Sequence, residues 1–129
     1  IAAIVAQYFD CPVVFAKKTQ SINLDGTMLS AQIESFTHKR TYDVIVASRF
    51  IQPGENILVI DDFMANGCAA MGLVKIIQEA QANVVGIGIV IEKGFQQGGA
   101  KLREQGLRVE SLAIVDDMDA DAQTITFRE

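Results

Sequence analysis

The chain has 129 residues, of which 50% are hydrophobic and 21% are charged, and its formal net charge at pH 7 is −5. This composition predicts one folded domain with a buried core, and it argues against disorder. Scattered basic residues on an acidic chain argue against nucleic-acid binding, and the apolar runs are too short to span a membrane. Cys11, Cys68 and His38 have no metal-like spacing, which favours reduced thiols in a cytoplasmic protein.

The first predicted elements are a helix and a short strand. Residues 1–9 have helical character, and Pro12 ends the helix because proline cannot continue one. Residues 12–16 are apolar and β-branched, which predicts a strand that is followed by Lys17 and Lys18. Because the chain begins at Ile1, without a methionine and inside a helix-like stretch, we expect that an N-terminal portion is missing.

A polar segment follows, and it predicts a mobile hairpin or flap over residues 19–41. It carries the turn dipeptide of Asp25 and Gly26, and apolar and polar residues alternate from Leu29 to Glu34. Residues 42–47 are again strand-like.

The second half alternates between strand and helix patterns. The predicted elements are a strand at 57–60, a helix at 68–79, a strand at 84–91, a helix at 98–105, a strand at 107–115 and an edge strand at 124–127. Continuous apolar strands separated by helices predict an α/β fold with a largely parallel twisted sheet that helices flank and cover on both faces. The late acids are expected to form a solvated loop: Asp116, Asp117, Asp119 and Asp121.

Unusual polar residues follow three of the predicted strands. Ligands of open α/β sheets lie beyond the carboxyl ends of strands, so these residues are candidates for a site. They are Lys17 and Lys18 after the first strand, Asp61 and Asp62 after the strand at 57–60, and Glu92, Lys93 and Phe95 after the strand at 84–91.

The turn after Asp61 and Asp62 predicts an anion site. Residues 65–67 lead directly into a helix N-terminus, where free N–H groups and the helix dipole favour a phosphate. Gly67 permits a close approach of the backbone, and carboxylates accept hydrogen bonds from vicinal hydroxyls, so a sugar phosphate fits the pattern. A receiver domain of two-component signalling also has acids after a strand, but no aspartate lies between Asp62 and Asp116 to be phosphorylated.

Residues 57–69 resemble the phosphoribosyl-diphosphate signature of type I phosphoribosyltransferases. That signature is an apolar strand, two acids, two variable residues and a phosphate loop, usually Ala-Thr-Gly-Gly-Thr/Ser. Here Asn66, Cys68 and Ala69 replace three loop residues, and Asp-Asp-Phe-Met-Ala-Asn-Gly is similar to the variant of bacterial xanthine phosphoribosyltransferases. Residues 12–18, 35–37, 86–93 and 108–113 resemble that family as well.

The resemblance implies a type I phosphoribosyltransferase fold with a flexible β-hairpin flap, in which residues 1–129 form a single core domain that lacks its N-terminal part. It implies a cytoplasmic homodimer that converts xanthine and 5-phospho-α-D-ribose 1-diphosphate (PRPP) to XMP and diphosphate, with Mg²⁺ bound to PRPP and no direct metal ligand from the chain. Two alternatives stay open. One is a non-catalytic PRPP sensor of a purine-gene regulator, and the other is a hypoxanthine/guanine phosphoribosyltransferase.

The resemblance also implies roles for individual residues. Asp61 and Asp62 would be the catalytic pair that holds the ribose hydroxyls. Lys93 would contact an exocyclic oxygen of the purine, and Phe95 would flank the base. Lys17 or Lys18 would reach the pyrophosphate, either within the same subunit or across a dimer interface. The residues implied for the 5′-phosphate are Ala65, Asn66, Gly67, Cys68 and Ala69.

Overall fold

The computed structural model describes residues 1–19, 26–35 and 40–128. The elements, in chain order, are α1 (Ala2–Phe9), β1 (Lys17–Thr19), β2 (Met28–Ser35), β3 (Arg40–Ala47), β4 (Asn56–Met64), α2 (Cys68–Glu79), β5 (Asn83–Lys93), α3 (Gly98–Glu104), β6 (Val109–Asp119) and β7 (Thr124–Phe127). Short 3₁₀ turns lie at Ser48–Phe50 and Gly94–Gln96.

A four-stranded sheet in the order β4-β5-β6-β7 carries the second half of the chain. The β4–β5 and β5–β6 pairs are parallel, and β7 runs antiparallel to β6 as the predicted edge strand. The strand–helix–strand prediction is therefore confirmed, and the parallel part of the fold consists of β4, β5 and β6.

A second sheet, of three antiparallel strands in the order β1-β3-β2, holds the predicted hairpin. The alternation in β2 is confirmed, because Ala31 and Ile33 are buried, as are Val44 and Val46 of β3. The inner face of the hairpin thus contributes to the hydrophobic core. Residues 20–25 and 36–39, which include Asp25 and His38, lie outside the described residues.

Helix α2 joins the two sheets into one core. Its bounds agree with the prediction, and its polar residues Lys75, Gln78 and Glu79 are exposed as expected. However, Gly72 and Ile76 are buried too, and a Cβ at Gly72 would lie 2.7 Å from the Cγ2 atom of Ile33 in β2. The core therefore covers a wider sector of α2 than the single face that the helical period predicted.

Three predicted boundaries are wrong. Residues 12–16 form no strand, because pairing of β1 with β3 begins only at Lys17, opposite Ile45. Strand β4 does not end before its acids but continues through them to Met64, because β5 is long enough to pair with it that far. The late acids up to Asp119 lie in β6 rather than in a loop, because β7 pairs with this segment.

The expected cover of both sheet faces is incomplete among the described residues. Leu58 of β4, Val85 of β5 and Leu112 of β6 are exposed, and Leu112 most of all at 86%. Within the described part of the chain, no helix is long and apolar enough to cross a membrane.

Candidate active site

Two adjacent acids lie near the carboxyl end of β4. Asp61 is half-buried and Asp62 is exposed, and the backbone N–H of Asp62 donates a hydrogen bond to the Asp61 carboxylate at 3.0 Å. Burial raises the pKa of Asp61 above its ordinary value, and the charge of Asp62 raises it further. The site therefore holds two carboxylates that repel each other, an arrangement that a cationic or hydroxyl-rich ligand would relieve.

One lysine of the predicted pair acts on this site. The charge of Lys18 lowers the pKa of Asp61, in opposition to burial. Lys17 and Lys18 are successive residues of β1, and successive side chains of a strand point to opposite faces. The side chains of Lys17 and Lys18 therefore lie on opposite faces of β1.

The turn between β4 and α2 has the backbone that an anion site requires. Gly67 has a φ of 81° and caps α2, and its carbonyl accepts a hydrogen bond from the N–H of Met71 at 2.9 Å. The Asn66 Oδ1 atom accepts a hydrogen bond from the N–H of Cys68 at 3.2 Å. The next N–H groups of the first turn, beginning with that of Ala69, have no acceptor within the helix, so they are placed to bind a phosphate.

Helix α3 supports this turn from the side. A Cβ on Gly67 would lie 3.2 Å from the Cα atom of Gly98. A Cβ on Gly98 would lie less than 3.0 Å from backbone atoms of Ala65, Asn66 and Gly67. The two backbones therefore touch, and Gly98 fixes the position of the predicted phosphate loop.

The residues that the resemblance assigns to the purine lie where β5 ends. Met64 of β4 pairs with Glu92 of β5, so the next residue, Lys93, lies beside the end of β4. The Nζ atom of Lys93 is 5.1 Å from the centroid of the Phe63 ring, which is a cation–π contact. Phe95 lies in the following 3₁₀ turn and is exposed, so its ring is accessible to a ligand.

An ion pair with a buried carboxylate lies directly beside Lys93. Glu92 is 2% exposed, and its carboxylate accepts hydrogen bonds from Arg103 at 2.9 and 2.8 Å and from the Ser111 hydroxyl. A Cβ on Gly99 would overlap with the Glu92 carboxylate, so α3 packs directly on it. This cluster connects β5, α3 and β6.

The ion pair predicts an acid-dependent stability. The hydrogen bonds from Arg103 lower the pKa of Glu92 below its ordinary value of 4.5, against the effect of burial. The stability that the ionised group contributes is thus present above that value and is lost as the pH falls through the lower pKa of the folded state. We expect urea denaturation between about pH 3 and pH 6 to show a flatter pH dependence of the unfolding free energy in Glu92→Gln than in the wild type.

The exposed Glu110 provides the control for this measurement. Glu110 forms an ion pair with Arg108, but its side chain is 72% exposed. Because exposed ion pairs contribute little to stability, Glu110→Gln should keep the wild-type pH dependence of the unfolding free energy. Identical slopes in the wild type and Glu92→Gln would contradict the prediction.

The described residues contain no group of three or more histidine, cysteine, aspartate or glutamate side chains that is arranged to hold a metal ion. The carboxylates of Asp61 and Asp62 form a pair only.

Comparison with curated proteins identifies the family. No protein-family model matches the chain. The chain is 60% identical over 128 residues to the xanthine phosphoribosyltransferase of Lachnoclostridium phytofermentans, with 99% of this chain and 66% of the relative covered. It is 55% identical over 129 residues to that of Clostridioides difficile, with 99% and 67% covered. The chain belongs to the xanthine phosphoribosyltransferase family.

Solved structures support the fold of this family member. The adenine phosphoribosyltransferases of Rhodothermus marinus and Thermoanaerobacter pseudethanolicus superpose with TM-scores of 0.73 and 0.74, each at 22% identity over 87% of this chain. These superpositions confirm the type I phosphoribosyltransferase fold that the sequence predicted. The chain spans about two thirds of the length of the curated xanthine phosphoribosyltransferases that it matches.

The structure of this family member places most of the predicted residues together. The two acids, the loop at 65–69 and Lys93 lie on neighbouring parallel strands and the helix between them. Sequence reasoning missed Phe63, Arg103, Ser111 and Gly98. The residues that these four contact are distant along the chain, so no local sequence pattern indicates the contacts. The adjacent glycines at the start of α3 were the one sequence feature that could have indicated a close backbone approach.

Proposed function

We propose that the protein transfers the phosphoribosyl group of PRPP to xanthine and so forms XMP and diphosphate in purine salvage. The observation that carries this proposal is the pair of acids followed by the Gly67 turn where β4 leads into α2. In a chain of this family, that arrangement fits a phosphorylated ribose. The 5′-phosphate would bind at residues 65–69, the ribose hydroxyls at Asp61 and Asp62, and the base beside Lys93 and Phe95.

The proposed reaction is a displacement at C1′ of the ribose. The bond from C1′ to the diphosphate oxygen breaks with its electron pair leaving on diphosphate, a bond forms from xanthine N9 to C1′, and the N9 proton is released. Positive charge develops on the ribose in the transition state. The nearby carboxylates of Asp61 and Asp62 would stabilise that charge, and the loop and Lys93 would hold the reactants in line.

Magnesium would enter as part of the substrate, bound to PRPP. When bound, it neutralises charge on the departing diphosphate. We propose that Mg²⁺ is held by PRPP and not by a side chain of the chain, as the family resemblance implies.

An activity assay tests the proposal. The full-length protein is incubated with Mg²⁺, PRPP and xanthine, hypoxanthine or guanine in turn, and nucleotide and diphosphate are quantified. We expect XMP, with kcat/KM for xanthine at least about tenfold above that for the other purines. Tight PRPP binding without any nucleotide product would favour the sensor alternative, and faster formation of IMP or GMP would change the assigned base.

The two lysines of β1 supply a matched pair of variants. Lys18 acts electrostatically on Asp61, so we propose that Lys18, rather than Lys17, reaches the pyrophosphate. Lys18→Met is expected to raise KM for PRPP about tenfold, because a charged hydrogen bond to phosphate is lost. Lys17→Met serves as the control and should leave KM for PRPP near the wild-type value. Equal effects of the two substitutions would contradict this assignment.

We also propose a cytoplasmic homodimer in which the hairpin of β2 and β3 closes over the substrates. The free thiols of Cys11 and Cys68 suit a reducing compartment. Exposed apolar residues on α1 and after it, namely Ile4, Tyr8, Phe9 and Phe15, offer a surface for association. Sedimentation equilibrium of the full-length protein tests the dimer, and a monomer at micromolar concentration would exclude it.

A further inference from the structure

Glu92 carries a charge and is nevertheless buried, with only 2% of its surface exposed. Stability alone does not account for it, because burial of a carboxylate costs desolvation free energy that an ion pair, here with the partly exposed Arg103, often does no more than offset. Its three hydrogen bonds instead define one orientation of the carboxylate, with Arg103 on one side and Ser111 on the other. A group held so closely is suited to positioning.

The residue that Glu92 would position is its neighbour. Strand residues alternate between faces, so a fixed Glu92 side chain also fixes the direction in which Lys93 leaves the strand. The Nζ atom of Lys93 contacts the Phe63 ring at the end of β4, which places it at the base end of the candidate site. The helix that supplies Arg103 also contacts the phosphate loop through Gly98.

We propose that Glu92 is a positioning residue for base recognition, held by Arg103 and Ser111, which fixes the end of β5 so that Lys93 meets the purine. This inference rests on the proposed function and adds three residues to it. Glu92 itself is buried, so it would act through Lys93 and not by contact with the substrate. Its removal should therefore change the affinity for the base and not the affinity for PRPP.

Steady-state kinetics of the full-length protein test the inference, with KM measured separately for xanthine and for PRPP. Glu92→Gln keeps the shape but loses the charge, and it should raise KM for xanthine about tenfold through misplacement of Lys93. KM for PRPP should remain near the wild-type value. Arg103→Lys, which keeps the charge but loses the two-point contact, should give a smaller rise in KM for xanthine.

Two further variants make the test decisive. Ser111→Ala removes one hydrogen bond, leaves the ion pair in place, and should raise KM for xanthine about threefold. Glu110 lies on the same strand as Ser111 but is exposed. Glu110→Gln should therefore have wild-type KM values for both xanthine and PRPP.

Each outcome has one meaning. Unchanged KM for xanthine in Glu92→Gln overturns the inference, as does an equal rise in both KM values, which a purely structural role would give. If Glu92→Gln does not fold, Ser111→Ala decides by the same criterion. A wild type that forms no XMP overturns the proposed function and this inference together, whereas an active wild type with unaltered variants overturns this inference alone.

Discussion

The variants Asp61→Asn and Asp62→Asn are each expected to lower kcat/KM for XMP formation by about 10²-fold. Each substitution keeps the volume of the side chain but removes a charged acceptor for the ribose hydroxyls. It also removes a negative charge near the ribose at the moment when positive charge develops there. The measurement is the initial rate of XMP formation with both substrates varied.

An exposed aspartate on another strand supplies the control for these two variants. Asp117 lies in β6 and is exposed, so Asp117→Asn should retain wild-type kinetics. Wild-type rates in both Asp61→Asn and Asp62→Asn would remove the ribose-binding assignment.

Asp61→Asn should at the same time stabilise the ligand-free protein. The pKa of Asp61 is raised by burial and by Asp62, so the ionised form is less favourable in the folded state than in the unfolded state. The stability linked to this group is therefore present at acidic pH and lost as the pH rises through its folded-state pKa. At neutral pH we expect Asp61→Asn to raise Tm by about 2 °C, while activity falls. An unchanged or lower Tm at pH 7 would contradict this expectation.

Gly98→Ala is the second substitution with a large expected effect. Its Cβ would lie less than 3.0 Å from backbone atoms of the loop at residues 65–67, which cannot turn aside as a flexible side chain can. The loop or α3 must shift, at a cost of about 2 kcal/mol in folding free energy. Because the loop is the proposed phosphate site, KM for PRPP should rise at least about tenfold.

A second glycine provides the control for Gly98→Ala. At Gly86 in β5, a Cβ would meet the Leu58 Cδ1 atom at 3.5 Å and the Arg108 carbonyl oxygen at 3.7 Å, which is ordinary contact. Gly86→Ala should therefore leave KM for PRPP near the wild-type value. Thermal denaturation and kinetics of both variants check the prediction, and a wild-type KM for PRPP in Gly98→Ala would show that the contact does not position the loop.

The elements that the sequence predicted well are those whose signal is local. The bounds of α2 follow from the Gly67 turn before it and from the helical spacing of apolar residues within it. Both signals lie in the same short stretch of sequence as the helix. The paired acids and the turn after them are likewise contiguous, so the centre of the candidate site could be located from the residues alone.

Other features depend on pairing between distant segments, and these required the structure. The first strand begins at Lys17 and not at Pro12 because β3 pairs only from there. β4 runs through its acids because β5 pairs with it as far as Met64. Neither partner could be inferred from the residues of the strand itself.

The sequence by itself thus determined the α/β class, the helix after the acids and the residues that form the proposed phosphate and ribose sites. The tertiary structure alone decided that Lys17 and Lys18 lie on opposite faces of β1, that Gly98 touches the predicted phosphate loop, and that Arg103 and Ser111 hold Glu92. The physical reason is the distance along the chain over which each interaction acts. Secondary structure and turns follow from neighbouring residues, whereas burial and hydrogen-bond partners arise only when distant segments pack together.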